Sequence, residues 1–442
     1  MPAPDDTLVH TPRKKDSAFA HFLKIIGPGI ITGAADDDPS GIATYSQTGA
    51  QFGYGMLWTA LYQIPLLLAV QEACARIGVV TGKGLARVIK DHYSRSILIG
   101  VVLLVVIANT INIGADIGAV AASTQLVATF APFWILAIMT AILVVVLEVF
   151  VNYKQYANIL KWFAIALLSY PVTALIIAEP WKQILIATIV PHIELSFAFL
   201  FIITGVFGTS ISPYMFFWQT SEEVEQEKML GIKTKGGMPR ITRRYMRDVR
   251  LDTTIGMVVA EVAQWFIIIT TATVLFSHGV TNIATAADAA KALEPLVQSF
   301  PSAGLVAKWI FAVGVIGLGL LGIPVLAGSA AYAMSEAFGW KEGLSKKFSK
   351  AKAFYGVIIV STLVGLLINF VGINPIKALV FTAVFNGITA VPLLFVIARI
   401  NSNKDILGDH KGGWLSQTFV WLTFGVMGLA AVALLYTLVM PR

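Results

Sequence analysis

Apolar residues in this chain gather into long runs, separated by short segments rich in charge, glycine and proline. About 20 predominantly apolar residues cross a bilayer as a helix. Eleven runs reach that length: 22–52, 55–76, 96–126, 133–151, 158–178, 194–219, 252–277, 303–337, 353–372, 376–399 and 415–439. The first does not read as a plain helix. It holds Asp36-Asp37-Asp38-Pro39-Ser40-Gly41 between Ile30-Ile31 and Ile42-Ala43-Thr44. A charge at the bilayer centre costs about 2.5–3.5 kcal/mol on insertion scales. Pro39 removes a backbone donor and Gly41 loosens the chain. The pattern predicts a broken helix whose freed carbonyls and carboxylates face water and bind a cation. The blander role for one of these acids is to cap the second half-helix.

The sixth run carries its own interruption, Gly205-Val206-Phe207-Gly208-Thr209-Ser210-Ile211-Ser212-Pro213-Tyr214. Pro213 predicts a kink and a freed carbonyl near Thr209. Taken alone, Ser212-Pro213 reads as a structural kink. Together with the first break it says more, because spans one and six correspond when ten spans divide as five plus five. Broken helices at matching positions point to an inverted-repeat transporter with its site at the midplane. No residue-level repeat between the halves is apparent, so this expectation rests on the break positions. We expect an N-terminal segment over 1–21 and one transmembrane unit over 22–439. Within it, 22–178 and 194–399 are the repeats and 415–439 is an additional helix.

Charge tests the span count. With the N-terminus placed in the cytoplasm, 27 of the 32 Lys and Arg residues fall on inside segments. Outside lie only Lys182, Lys291, Lys308, Lys377 and Arg442. That skew follows the positive-inside rule and requires an odd number of spans, with the C-terminus outside. The net charge of +7 therefore reflects topology, and the cluster Arg240, Arg243, Arg244, Arg247 and Arg250 reads as a juxtamembrane basic loop rather than a nucleic-acid surface. Mean hydropathy is +0.77 and 13% of residues are charged, against about 25% in soluble domains. Cys74 is the single cysteine, which excludes an intrachain disulfide and a dithiolate metal site. The first helix lacks the small-residue cleavage site of a secretory signal. No Walker motif, glycine-rich nucleotide loop or nucleophile–base constellation occurs, so an enzyme is not expected and no cofactor is implied. Membrane lipid is the expected surrounding, with no obligatory protein partner.

Several stretches resemble the Nramp family of divalent-metal transporters. They are Gly27-Pro28-Gly29, Asp38-Pro39-Ser40-Gly41-Ile42-Ala43-Thr44, Gly49-Ala50-Gln51-Phe52-Gly53-Tyr54, Ala75-Arg76-Ile77-Gly78 and Thr81-Gly82. The resemblance is specific in the first two spans, reaches through the sixth and is weaker beyond the eighth. It implies an all-α membrane protein of eleven spans, a LeuT-like 5+5 inverted repeat with helices 1 and 6 broken, in a bacterial inner membrane. The family's first-helix motif is Asp-Pro-Gly-Asn. Asp38 and Pro39 are kept, whereas Ser40 and Gly41 replace the glycine and the asparagine ligand. Its sixth helix carries a methionine followed by Pro-His. Here Ser212 and Tyr214 flank the retained Pro213, and a second family histidine falls at Gln219. Family backbone ligands map to Ala35 and Thr209.

These departures have a chemical direction. A thioether favours transition metals and a hydroxyl is hard. Mg²⁺ keeps several waters and takes its charge compensation from one or two carboxylates. A roomy, all-oxygen cavity of Asp38, Ser40, Thr209 and Ser212 suits partly hydrated Mg²⁺, with Mn²⁺ also accepted. This is similar to the divergent Nramp-related magnesium branch. Asp36 and Asp37 add charge to that site, or one of them only caps the helix.

Family members couple metal to protons through acids in the third span and histidines in the sixth. Asp116 matches one such acid; a second position holds Asn109 and both histidines are gone. A relay needs titratable groups in reach of one another, so proton coupling is expected to be weak or absent. Asp116, Asn112 and Tyr214 are pathway candidates, the bland role of Asp116 being a hydrogen bond to Asn112. Potential alone is adequate: a dication gains about 4.6 kcal/mol per 100 mV, on the order of a thousandfold accumulation. Glu72, Glu148, Glu261 and Gln264 read as interhelical hydrogen-bonding residues. Asn386-Gly387 reads as an interruption of the tenth span that widens the aqueous route, or equally as a packing feature. Trp58, Trp134, Trp181, Trp340 and Trp414 read as interface anchors. Three alternatives stand beside the magnesium reading: a proton-coupled Mn²⁺/Fe²⁺ importer, a sodium-coupled amino-acid or other organic-solute symporter on the same scaffold, and a non-transporting metal sensor or partner-binding membrane protein.

Overall fold

A computed structural model describes residues 28–151, 168–177, 180–232, 234–235, 238–239, 241–298 and 302–439. The segment over 1–21, the start of the first run and most of the fifth lie outside them. The first run is two helices, α1 (Pro28–Asp36) and α2 (Pro39–Phe52). Next come α3 (Trp58–Thr81), α4 (Leu85–His92), α5 (Arg95–Val127), α6 (Phe133–Phe150), α7 (Ser169–Ile176) and α8 (Trp181–Ile189). The sixth run is α9 (Phe197–Ser210) and α10 (Pro213–Met229). A two-residue antiparallel pair, β1 (Thr234–Lys235) and β2 (Met238–Pro239), leads into α11 (Arg243–Val274). The chain ends with α12 (Ala286–Ala290), α13 (Ala303–Phe338), α14 (Lys352–Ile368), α15 (Pro375–Ser402), α16 (Lys404–Leu407) and α17 (Trp414–Val439).

Eight stretches among the described residues are long and apolar enough to cross a membrane, α9–α10 counting as one. Each falls on an expected run. α14 occupies the ninth run but is shorter, and of the fifth run α7 is the described part. Both expected breaks are present, at Asp37–Asp38 and at Ile211–Ser212. Large apolar side chains point outward from α6 and α17, among them Met139, Ile142, Leu429 and Val432. That is the arrangement expected where the solvent is lipid.

Glycine sets how closely the broken helices dock. Gly29 and Gly33 of α1 lie one turn apart against Gly256 of α11. A Cβ at Gly33 would come within 2.3 Å of the Gly256 carbonyl oxygen, so no other residue fits without moving a backbone. The Gly29 N–H also donates to Asp252 Oδ2 at 2.6 Å. α9 docks on α15 in the same manner, where a Cβ at Gly208 would meet the Ala383 carbonyl at 2.1 Å. At one end of the bundle Arg76 joins four elements. It donates to Glu72 and Asn401 at 2.6 Å each and to Ser416 at 3.1 Å, and Arg250 pairs with Glu72 at 2.6 Å.

Three expectations need correction. Of the basic cluster, Arg240 lies outside the described residues and the other four arginines are not in a loop, because α11 begins at Arg243 and carries Arg243 to Arg250 in its first turns. α15 runs through Asn386-Gly387 without interruption, since Gly387 is there to let the Thr204 carbonyl approach. Trp58 is buried, its indole donating to the His192 carbonyl, and does not anchor at an interface as exposed Trp134 and Trp414 can.

Candidate metal site

Asp38 is the N-cap of α2, in extended backbone (φ −61°, ψ 174°), with Pro39 at the first helical position. An N-cap needs a side-chain acceptor for the free amides of the first turn, and proline is tolerated where no amide partner is needed. Asp38 Oδ1 accepts from Gly41 N at 2.9 Å and from the Ser40 hydroxyl at 2.8 Å. Asp38 is therefore the cap as well as the candidate ligand, and Ser40 holds it in place. Its second oxygen, Oδ2, is approached by Asn112 Nδ2 at 3.4 Å.

Asn112 and Asp116 lie one turn apart on α5, both fully buried. Asp116 does not hydrogen-bond to Asn112: both of its carboxylate oxygens are buried without a partner. It faces the Asp38 side, because a Cβ at Gly322 of α13 would sit 3.0 Å from Asp38 Cβ and 4.0 Å from Asp116 Oδ2. The missing side chain of Gly322 leaves that space open. Asp36 and Asp37 have a further acidic neighbour on α11. Each keeps one buried oxygen without a partner, and both are electrostatic neighbours of Glu261 on α11, whose two oxygens are also unpartnered. Three consecutive acids thus divide between two walls. Among the described residues no three His, Cys, Asp or Glu side chains come close enough to hold a metal by themselves.

The two breaks meet, tied by a reciprocal pair of tyrosines. Tyr214, just after the second break, donates to the Ala35 carbonyl at 3.0 Å, just before the first. Tyr45 of α2 bonds Thr209 and Ser210 of α9, each at 3.0 Å. One consistent proton order runs from Thr209 to Tyr45, Ser210 and Gln264 Oε1. Gln264 Nε2 then donates to Gln63 Oε1 at 2.9 Å. So the Ala35 carbonyl, expected at the ion, has a protein partner here, and at Thr209, where the backbone carbonyl is the expected ligand, it is the hydroxyl that is bonded, to Tyr45 and the Val206 carbonyl. Ser212 is the opposite case: its hydroxyl is fully buried, caps nothing and has no partner. Tyr45 was missed because it does not sit in a break; its i, i+4 offset from Gly41 was the one available signal. The interhelical bonding expected of four further residues holds for Glu72 and Gln264 but not for Glu148 and Glu261, whose carboxylate oxygens are buried without a partner.

The roomy cavity expected at the site is closed in this conformation. Asp36, Asp37, Asp38, Ser40, Thr209 and Ser212 are each at most 2% exposed. A vestibule of about 690 Å³ opens beyond α2, with Gln47, Gln51, Asn282, Asn369 and Lys377 in its mostly apolar wall. Ile283 and Ile376 separate it from a void of about 10 Å³ against Pro39, Ile42 and Phe311. On the other side α1 closes the bundle through its contact with α11.

A bundle of long apolar helices, two interrupted where they face each other and lined there by carboxylates and hydroxyls, is a membrane transporter of the broken-helix class. Residues 29–437 match the model of the natural resistance-associated macrophage protein-like family, Nramp, and the chain belongs to that family. It is a family of transporters, not of enzymes. Curated relatives include proteins named divalent metal cation transporter MntH. That of Listeria innocua is 24% identical over 440 residues, covering 96% of this chain and 92% of the relative. That of Klebsiella pneumoniae is 24% identical, covering 92% and 96%. The fold is similar to that of the Eremococcus coleocola manganese transporter, solved with an aromatic bis-isothiourea compound. The TM-score is 0.73 at 15% identity, over 96% of this chain and 88% of that one. It is also similar to Mhp1, a nucleobase-cation-symport-1 transporter in a closed conformation (TM-score 0.54, 14% identity, 94% of each chain).

Proposed function

We propose that this chain carries divalent metal cations across a bacterial plasma membrane, Mg²⁺ foremost and Mn²⁺ with it, without proton coupling. The ion travels partly hydrated, and the N-terminus is cytoplasmic. The observation that supports this most directly is the donor set around Asp38. Asn112 and Asp116 stand beside Asp38 at the first break and the Ser212 hydroxyl lies buried at the second, with Ser and Tyr where the family has Met and His. One or two carboxylates with small neutral oxygens suit a hard ion that keeps part of its water. The second reading, a proton-coupled Mn²⁺ importer, draws on the relatives' names and on Asp116, whose unpartnered carboxylate could carry a proton. A sodium-coupled solute symporter is disfavoured by carboxylates where an anionic substrate group would bind.

The test is transport by the full chain in liposomes, with Mg²⁺, Mn²⁺, Ca²⁺ and Cd²⁺ in competition and a pH dye in the lumen. Mg²⁺ and Mn²⁺ enter and the dye stays constant if the reading is right. Acidification driven by Mn²⁺ would establish the second reading, and Cd²⁺ outcompeting Mg²⁺ would remove the hard-site argument.

A further inference from the structure

Away from Asp38, toward the end of the bundle that bears Lys228 and the α11 arginines, α10 carries Gln219, Glu223 and Glu227. They are four residues apart and share one helical face. Gln219 Nε2 donates to Glu223 Oε1 at 2.9 Å, while Glu223 Oε2 is buried without a partner. Glu227 is 4% exposed and its Oε1 is also unpartnered. The charged neighbours of Glu223 include Asp252, Glu227 and Glu222, all acids. Beside Asp252, the Thr253 hydroxyl is a further fully buried group without a partner. In its ionised form a carboxylate like that of Glu223 lacks both a second hydrogen bond and a counter-charge, and a cation arriving beside it would supply the charge.

α1 covers this seam. Thr32 donates to Gln219 Oε1 at 2.6 Å, and the Gly29 amide donates to Asp252 Oδ2. The only groups α1 offers the seam in these two contacts are one hydroxyl and one amide. Lifting α1 from Gly256 would expose a row of acids that starts at Glu223, part-way along α10, and ends near Lys228.

We propose that Glu223 and Asp252 form a second, transient station for the transported cation, reached from Asp38 once α1 moves away. This rests on the reading that the chain carries a hydrated dication. The station holds the ion through its waters, since among the described residues no three acidic side chains close on a bare metal. An ion on a transit path must also be held weakly enough to leave. Glu223 is thus a residue of the route on the inner side and does not touch the ion at Asp38.

Glu223→Gln separates this role from packing, because a glutamine oxygen still accepts from Gln219 while the charge is removed. In liposomes of full-length protein, with a Mg²⁺ dye inside, Glu223→Gln is expected to lower the maximal rate about fivefold. The external KM stays within about twofold, because that station is hidden from the outer side. Glu223→Asp keeps at least about half of the rate, and Asp252→Asn behaves like Glu223→Gln. The melting temperature of Glu223→Gln in detergent stays equal or rises. A full rate in Glu223→Gln overturns the inference. So does a loss of rate accompanied by a fall in melting temperature, which assigns Glu223 to packing. Wild-type protein that moves no divalent cation overturns the transport reading as well, so the two failures are distinguishable.

Discussion

At the first break Asp38 closes the open end of α2 itself, taking the Gly41 amide and the Ser40 hydroxyl on one oxygen and leaving the other turned to Asn112. At the second break the equivalent residue does none of this. Ser212 starts α10 without a side-chain cap, and its hydroxyl is buried with nothing to bond. The backbone problem is the same in both places: a helix interrupted in a low-dielectric setting, with proline at the restart. The chemistry differs. The first break spends hydrogen bonds to fix a charge in one position, whereas the second keeps a small hydroxyl uncommitted. We read the first as the part that makes binding possible and the second as the part that tunes which ion is bound.

The largest effect should come from splitting the two roles of Asp38. Asp38→Ala removes charge and cap; Asp38→Asn removes the charge but keeps an acceptor for Gly41 N. Loss of a principal metal ligand should cost more than the 10- to 100-fold seen for supporting groups, so both variants should lose about 100-fold or more of Mg²⁺ flux. They should part in stability, with Asp38→Ala melting lower by the equivalent of about 1 kcal/mol for a lost N-cap. Flux in liposomes and thermal melting in detergent read the two separately. Residual flux in Asp38→Asn near the wild-type level would return Asp38 to the role of a cap alone.

How much of this was visible beforehand also divides along the same line. The break at Asp36–Asp38 was legible because charge, proline and glycine in an apolar run admit few structures, and the break at Ser212-Pro213 was legible by its proline. The division of the three acids between α5 and α11 was not legible, because it depends on the rotation of α1 against its neighbours. At Asn386-Gly387 two roles were open, an interruption and a packing contact, and the sequence did not choose between them for a related reason. In a soluble helix that pair signals a turn, but here Gly387 accommodates the Thr204 carbonyl and the helix continues. The Tyr214–Ala35 and Tyr45–Thr209 contacts join residues more than 160 positions apart. No local pattern reports a pairing of that kind.

A smaller effect, on selectivity rather than rate, should follow from giving the second break a soft ligand. Ser212→Met should raise the preference for Cd²⁺ over Mg²⁺ by about tenfold, equivalent to roughly 1.4 kcal/mol. Methionine also adds volume at a buried position, which can cost about 1–3 kcal/mol. Ser212→Cys supplies sulfur at nearly constant volume and controls for that. Ser212→Ala should leave stability within about 0.5 kcal/mol, since no hydrogen bond is lost there. Competition of Cd²⁺ against Mg²⁺ uptake is the measurement. An unchanged ratio in both sulfur variants would mean that residue 212 does not face the ion and that the second break is only a kink.

The smallest effect concerns the stitches between the breaks, and it tests whether they act on the closed state. Tyr214→Phe removes one donor from the Ala35 carbonyl, and Tyr45→Phe cuts the chain from Thr209 to Ser210. Each change should cost about 1 kcal/mol in melting stability, with more at Tyr45 because two partners are left behind. Their effects on transport should differ in sign. Tyr214→Phe frees the Ala35 carbonyl for the ion and should lower the external KM by roughly threefold if that carbonyl joins the bound state. Tyr45→Phe leaves both of its partners on α9, gains no ligand, and should leave KM unchanged or raise it. If KM moves identically in the two variants, the tyrosines only hold the helices together, and the Ala35 carbonyl is not part of the site.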